Sequence, residues 1–289
     1  GSAGERTWPP ATADIPNFGY TPSAFWFRLA LHNEGDQPLR RLVAVGYPVL
    51  DSVQFFLVRD GAVHSRLLTG DREAFASRLI DHRHFLFPVE LEPGAAADLY
   101  LRVRSSSALQ VPVTIGSETA FFVDDQHELA GQSLYYGMML VMILFNLFLF
   151  LSLREAVYFH YILFVFSFAV VQLSLHGFPA QYFFRNLPLA QDKALLFFIP
   201  AIVFFAACFT RAFLDLRRHA PTADRFFQIG AWYAGACMVA ALVVDYQTGV
   251  RFAIAGVIPV SLGCLIIGPL LWLRGHTIAR FYTLAWMSI

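Results

Sequence analysis

The residues whose types could do chemistry are few, and their spacing narrows the choices further. Cys208, Cys237 and Cys264 all lie inside apolar runs and form no Cys-x-x-Cys pair, so neither a disulfide framework nor a cysteine zinc site is expected. Asp51, Asp71 and Asp81 stand at no catalytic spacing, and Ser105-Ser106-Ser107 has no nucleophile-elbow pattern around it. His64, His82 and His84 could ligate a metal. With no supporting carboxylate at ligand spacing they read as scattered surface histidines, and no metal is expected. No catalytic residue and no cofactor is therefore assigned, and no enzyme activity is expected in these residues.

What remains is recognition chemistry. Trp26 and Arg28 alternate with Phe27 and Leu29, while Tyr100, Arg102 and Arg104 alternate with Leu101 and Val103. On a strand, alternate residues share a face, so these five point away from the apolar side. Aromatic rings that can stack on sugar C–H groups, beside Arg donors for hydroxyls or carboxylates, make a ligand face for a glycan or small molecule. The same face suits protein contacts. Partners expected are thus such a ligand, a second copy of the chain or a partner receptor, and membrane lipid.

The elements that would position this face read as β. Residues 25–33 and 84–91 alternate, with Phe85, Phe87, Val89 and Leu91 inward. The runs 53–58 and 63–68 flank Asp60-Gly61, a hairpin turn signal. Residues 99–104 and 111–115 close a series of six to eight short strands, which predicts a sandwich or jelly roll over residues 25–120. Residues 1–24 are read as an extension that begins Gly-Ser-Ala-Gly without Met or an apolar signal segment, as a processed or engineered terminus would.

Past residue 128 the polarity changes. Before it, no uncharged stretch exceeds 13 residues; after it, the stretches run 25, 29, 17, 19 and 22 residues, histidine aside. The chain as a whole is 57% hydrophobic and 15% charged, with a mean hydropathy of +0.53, where soluble domains carry roughly 25% charged residues. A hydrocarbon core of ~30 Å takes about 20 apolar helical residues. The pattern predicts a membrane protein with a connector at 121–130 and helical spans near 131–152, 156–176, 192–211, 226–245 and 251–273. A sixth, 277–289, stops in mid-span, so the chain is expected to be a fragment. A net charge of zero gives no basic field for nucleic acid. With the first domain outside, inner loops hold seven Arg, and outer loops hold Arg185, Lys193 and Arg251, the arrangement that the positive-inside rule favours. Asn146 and His160 are the polar groups expected to pack inside the membrane, Asn146 against another helix.

These residues resemble a known family. Gly131-Gln-Ser-Leu-Tyr-Tyr-Gly-Met-Met-Leu-Val-Met-Ile-Leu-Phe-Asn-Leu-Phe-Leu-Phe-Leu-Ser-Leu-Arg, then Val157-Tyr-Phe-His-Tyr-Ile-Leu-Phe and Gly177-Phe-Pro-Ala-Gln-Tyr, look like the bacterial seven-transmembrane receptors with diverse intracellular signalling modules. The first domain is similar to that family's second extracellular domain type, through Trp26-Phe-Arg, Asn33, Leu50-Asp51-Ser-Val, Gly70-Asp71, Arg78 and His84-Phe-Leu-Phe-Pro. Phe145 stands where Tyr would be expected. The resemblance implies a periplasmic, carbohydrate-binding-like jelly roll at the bacterial inner membrane. Seven helices would relay its state to a cytoplasmic output module such as a kinase, cyclase or phosphatase. Sensing of a carbohydrate-like or small ligand is the expected function; a periplasmic interaction module regulating another membrane receptor is the alternative.

Overall fold

The structure is a computed structural model that describes Trp8 and residues 15–287. Two compact units emerge. One comprises residues 1–129 with 173–191, the other residues 130–172 with 192–289.

Among the described residues of the first unit nine strands, all paired antiparallel, form three sheets. Strands β2 (Phe25–His32), β7 (Ala96–Arg104), β4 (Ser52–Arg59) and β5 (Ala62–Thr69) lie side by side in that order; β6 (Phe85–Leu91), β3 (Leu39–Val45) and β9 (Val113–Gly116) make the second sheet. A short pair joins β1 (Asn17–Tyr20) to β8 (Ala108–Gln110). Alternation in β2, β4, β6 and β7 sends Leu29, Phe55, Phe87 and Leu101 into one core, where the Phe55 and Phe87 rings stack across the two sheets at 4.5 Å. Burial of such side chains is worth about 1.5–3 kcal/mol each, and it fixes the register, since a one-residue slip would turn every apolar group outward. The turn Asp60-Gly61 has φ of 51° and 74°, the left-handed pair that a two-residue hairpin needs.

Three features depart from the expectation. The stretch read as an extension contributes β1, because residues 17–20 pair with 108–110. Strand β3 carries no alternation: Leu42 to Val45 are all buried. Val43 and Val45 face the sandwich core, while Leu42 and Ala44, with Leu86 of β6, form a second small cluster against Phe121 and Ile80. Finally, the connector is helical. Helix α1 (Glu118–Leu153) runs unbroken for 36 residues, about 54 Å at 1.5 Å per residue, so it carries its acidic first turns on the same rod as its apolar remainder.

The rest of the chain is helical: α2 (Ala156–Leu175), the short α3 (Phe178–Tyr182), α4 (Pro188–Phe213), α5 (Leu216–His219), α6 (Pro221–Ala240), α7 (Tyr246–Leu273) and α8 (Ile278–Met287). Among the described residues four helices, α1, α2, α4 and α7, are long and apolar enough to cross a membrane. Helix α6, expected as a further span, is less apolar because Asp224, Arg225 and Gln228 occupy its first turns. In the second unit Phe227, Ala231 and Ala234 of α6 pack on Val260 and Cys264 of α7. The α7 residue Gly256 lies so close to Tyr233 that an added Cβ would stand 2.8 Å from its ring, the small-residue contact by which membrane helices approach. Thr210 and Tyr282 hydrogen bond at 2.8 Å inside this cluster. Pro200, Pro259 and Pro269 are accommodated within continuous helices.

Candidate functional site

The five recognition residues lie on one sheet face. Strands β2 and β7 are neighbours, with Trp26 opposite Arg102 and Arg28 opposite Tyr100; Arg104, at the end of β7, faces Ser52 of β4. Sequence alternation identified the outward residues, and pairing now places them together. Three neighbours join them that the sequence pattern did not single out. Phe56 of β4 stacks with Trp26 at 5.7 Å, and the guanidinium of Arg66 on β5 sits 5.5 Å from the Phe56 ring. Trp8 lies 5.6 Å from the ring of Tyr100. Phe56 was legible in the same alternation, since Phe55 beside it points inward.

The arginines are not equivalent. Arg28 is committed to Asp98 by two hydrogen bonds of 3.1 and 2.9 Å, and this pairing raises its pKa. Arg102 and Arg104 make no side-chain hydrogen bond or ion pair among the described residues. Arg104 is exposed and Arg102 half-buried, beside Trp26, whose surface is 45% exposed. An aromatic plane next to two uncommitted guanidinium groups can stack a ring and bond an oxygen-rich edge.

A second polar assembly lies in the same unit, and here the sequence reading needs correction. His82 and His84 are not scattered surface residues; only His64, exposed on β5, fits that description. The segment 75–84 folds down onto α1 and onto residues 177–185. Arg83, almost wholly buried, places its guanidinium 2.7 Å from Asp125 Oδ1 and 3.5 Å from Glu128 Oε2, with the Phe178 ring 5.3 Å away. His82 Nε2 lies 3.2 Å from Asp125 Oδ2, and its Nδ1 accepts the His84 backbone N–H at 3.0 Å. Burial lowers the pKa of His82 and pushes that of His84 down to about 3. Both rings are therefore neutral at pH 7, because desolvation disfavours the charged form.

Arg78 braces this segment. It donates to the carbonyls of His82 and Arg83 at 2.8 and 2.5 Å and lies 4.5 Å from the Phe75 and Phe85 rings; burial lowers its pKa to about 10. Arg185, from the stretch after α3, bonds Asp81 at 2.7 and 3.3 Å, and its carbonyl accepts the Phe75 N–H at 3.2 Å. Gly177 adopts φ 78° against Pro48. No sequence spacing foretold this joint, since Asp125 is 42 residues beyond Arg83 and Arg185 is 104 beyond Asp81.

Of the two groups expected to pack within the membrane, Asn146 satisfies its amide locally. Its Nδ2 donates to the Met142 carbonyl at 2.9 Å, one turn back in α1, rather than to a second helix. His160 is half-buried near the start of α2, its ring 6.5 Å from Phe159.

A β-sandwich that makes buried polar contacts to the first turns of α1, ahead of four helices long and apolar enough to cross a membrane, is the architecture of a membrane protein with a folded N-terminal domain. The comparison with known families agrees. The family described as 7TM diverse intracellular signalling matches residues 128–289, and the 7TMR-DISM extracellular 2 domain matches residues 2–117. The first match covers more than half of the chain, and the protein belongs to this family of transmembrane signalling receptors. No curated protein matches the chain.

Proposed function

We propose that the protein is a multi-pass sensor of the bacterial inner membrane. Its periplasmic sandwich binds a carbohydrate-like or other small oxygen-rich solute, and the helices pass the bound state to an intracellular signalling module. In this reading residues 1–289 sense and transmit and do not catalyse. The observation that carries it is the open face on which Trp26, stacked with Phe56, adjoins the uncommitted Arg102 and Arg104. The ring gives a flat apolar platform for sugar C–H groups, and the guanidinium groups donate to hydroxyls or carboxylates. Tyr100 extends the platform, and Arg28, held by Asp98, supplies a fixed edge. A ligand shifts a receptor only through unequal affinity for its states. The joint of Arg83 with Asp125 offers one such pair of states, closed or parted.

The test uses the whole chain in lipid nanodiscs, screened against oligosaccharides and small metabolites by calorimetry. Trp26→Ala and Arg102→Ala are expected to weaken a hit about fivefold to tenfold, ~1 kcal/mol each. A folded chain that binds no solute overturns the reading, as does a hit that both variants bind unchanged. Crosslinks from Trp26 or Tyr100 to another receptor, formed without solute, would favour the interaction module instead.

A further inference from the structure

We infer that His82, His84 and Asp125 form a site for a divalent transition-metal ion, zinc by preference, between the sandwich segment 82–84 and the first turns of α1. One ligand atom from each of the three lies within 4.8 Å of the others, a separation that a small adjustment closes onto one ion at ~2.0–2.2 Å from each donor. Two imidazoles with one carboxylate select a borderline transition metal over calcium or magnesium, which take oxygen ligands.

Several observations point to a ligand and not only to packing. The His84 ring makes no hydrogen bond among the described residues and forms part of the wall of a cleft of about 490 Å³. Asp124, Asp125 and Glu128 line the same cleft, so an ion has a path in and carboxylates beside it. Asp125 is also held as metal-binding carboxylates are: its other oxygen takes the Arg83 guanidinium at 2.7 Å, the outer contact that orients a ligand. Arg83 and Arg78 both stand near the two histidines, and the carboxylates of Asp125 and Glu128, which face Arg83, offset their two positive charges.

Binding would carry a structural consequence. In the structure His82 Nδ1 accepts the His84 N–H, so the ring proton resides on Nε2, facing Asp125. Ligation through Nε2 puts that proton on Nδ1, and the His84 amide must give up its acceptor. The ion thereby links segment 82–84 to α1 while loosening one backbone contact. This site is separate from the Trp26 face, and its failure would leave the solute reading untouched.

The experiment takes the 289-residue chain without an affinity tag, in detergent and stripped by a chelator. Co²⁺ is the probe, because its visible bands report four-coordinate geometry, and Zn²⁺ is the competitor. One Co²⁺ per chain, displaced by Zn²⁺, is expected. His84→Gln should weaken binding at least about tenfold, and Asp125→Asn likewise, while His64→Gln leaves it unchanged. His84 borders the cleft, so His84→Gln should retain the wild-type melting temperature and decides the matter even where Asp125→Asn does not fold. Absence of stoichiometric Co²⁺ on the folded wild type overturns the proposal, and so does binding that His84→Gln leaves intact.

Discussion

Arg83 Nη2 lies 2.7 Å from Asp125 Oδ1, with the two side chains only 3% and 11% exposed. This pair joins the β-sandwich to α1 without intervening solvent. Removing one member of a buried ion pair strands the other charge and costs about 3–5 kcal/mol, whereas replacing both by apolar groups is often neutral. Arg83→Ala and Asp125→Ala are each expected to lower the melting temperature of the chain in detergent sharply. Arg83→Met combined with Asp125→Leu should recover most of the loss. A double variant as unstable as the sum of the single ones would show that the two residues act independently.

Arg185 and Asp81 make an ion pair with the same 2.7 Å distance, but their side chains are 46% and 60% exposed. Solvent screens such a pair to a worth of ~0–1 kcal/mol. The Arg185 guanidinium also lies 4.5 Å from the Phe75 ring, a contact of about 0.5–1 kcal/mol at an exposed site. Arg185→Ala should therefore destabilise far less than Arg83→Ala. Most of its effect should vanish in Asp81→Ala, Phe75→Leu backgrounds, read by the same melts. Raising salt should weaken the Asp81 part and leave the Arg83 pair nearly unaffected.

Gly177 and Gly61 have similar backbone angles, φ 78° and 74°, in different surroundings. A Cβ at Gly61 meets nothing, while one at Gly177 would stand 2.6 Å from Pro48 Cβ. Gly61→Ala pays only for the left-handed conformation, about 1–2 kcal/mol. Gly177→Ala pays that and must also push the Pro48 loop away. The expected order in thermal melts is wild type, then Gly61→Ala, then Gly177→Ala, and equal melting points for the two variants would contradict the contact with Pro48.

Much of this molecule could be read from residue order because its signals are local. Alternation in Trp26-Phe27-Arg28-Leu29 and in Tyr100-Leu101-Arg102-Val103 gave both faces of β2 and β7. Four of the five long uncharged stretches map onto α1, α2, α4 and α7, the helices apolar enough to cross a membrane among the described residues. Strand β3 escaped because Phe121 of α1 covers its outer side, so Leu42 and Ala44 are as apolar as Val43 and Val45. The connector concealed a helix because Asp124, Asp125 and Glu128, which look like a solvated linker, serve as partners for Arg83, for His82 and for the cleft. The joint itself was illegible for a topological reason: its members come from segments dozens of residues apart, and no periodicity spans such distances.

Asp245 provides a test on the acid side. It stands just before α7 with extended backbone, and its Oδ2 accepts the Thr248 N–H at 2.9 Å, an N-cap bond. That bond lowers the Asp245 pKa below its ordinary value of 3.8. A depressed carboxylate pKa means that the unfolded form binds the proton first. The cap therefore contributes fully above about pH 3.8 and is lost as pH falls through the lower folded value. Asp245→Ala should accelerate hydrogen exchange of the Thr248 amide at every pH. Asp245→Asn, a good cap without a titrating group, should preserve protection and remove its loss in acid. Exchange that is equally fast in Asp245→Asn and Asp245→Ala at neutral pH would mean that the carboxylate charge at the helix N-terminus, rather than the hydrogen bond, holds the first turn of α7.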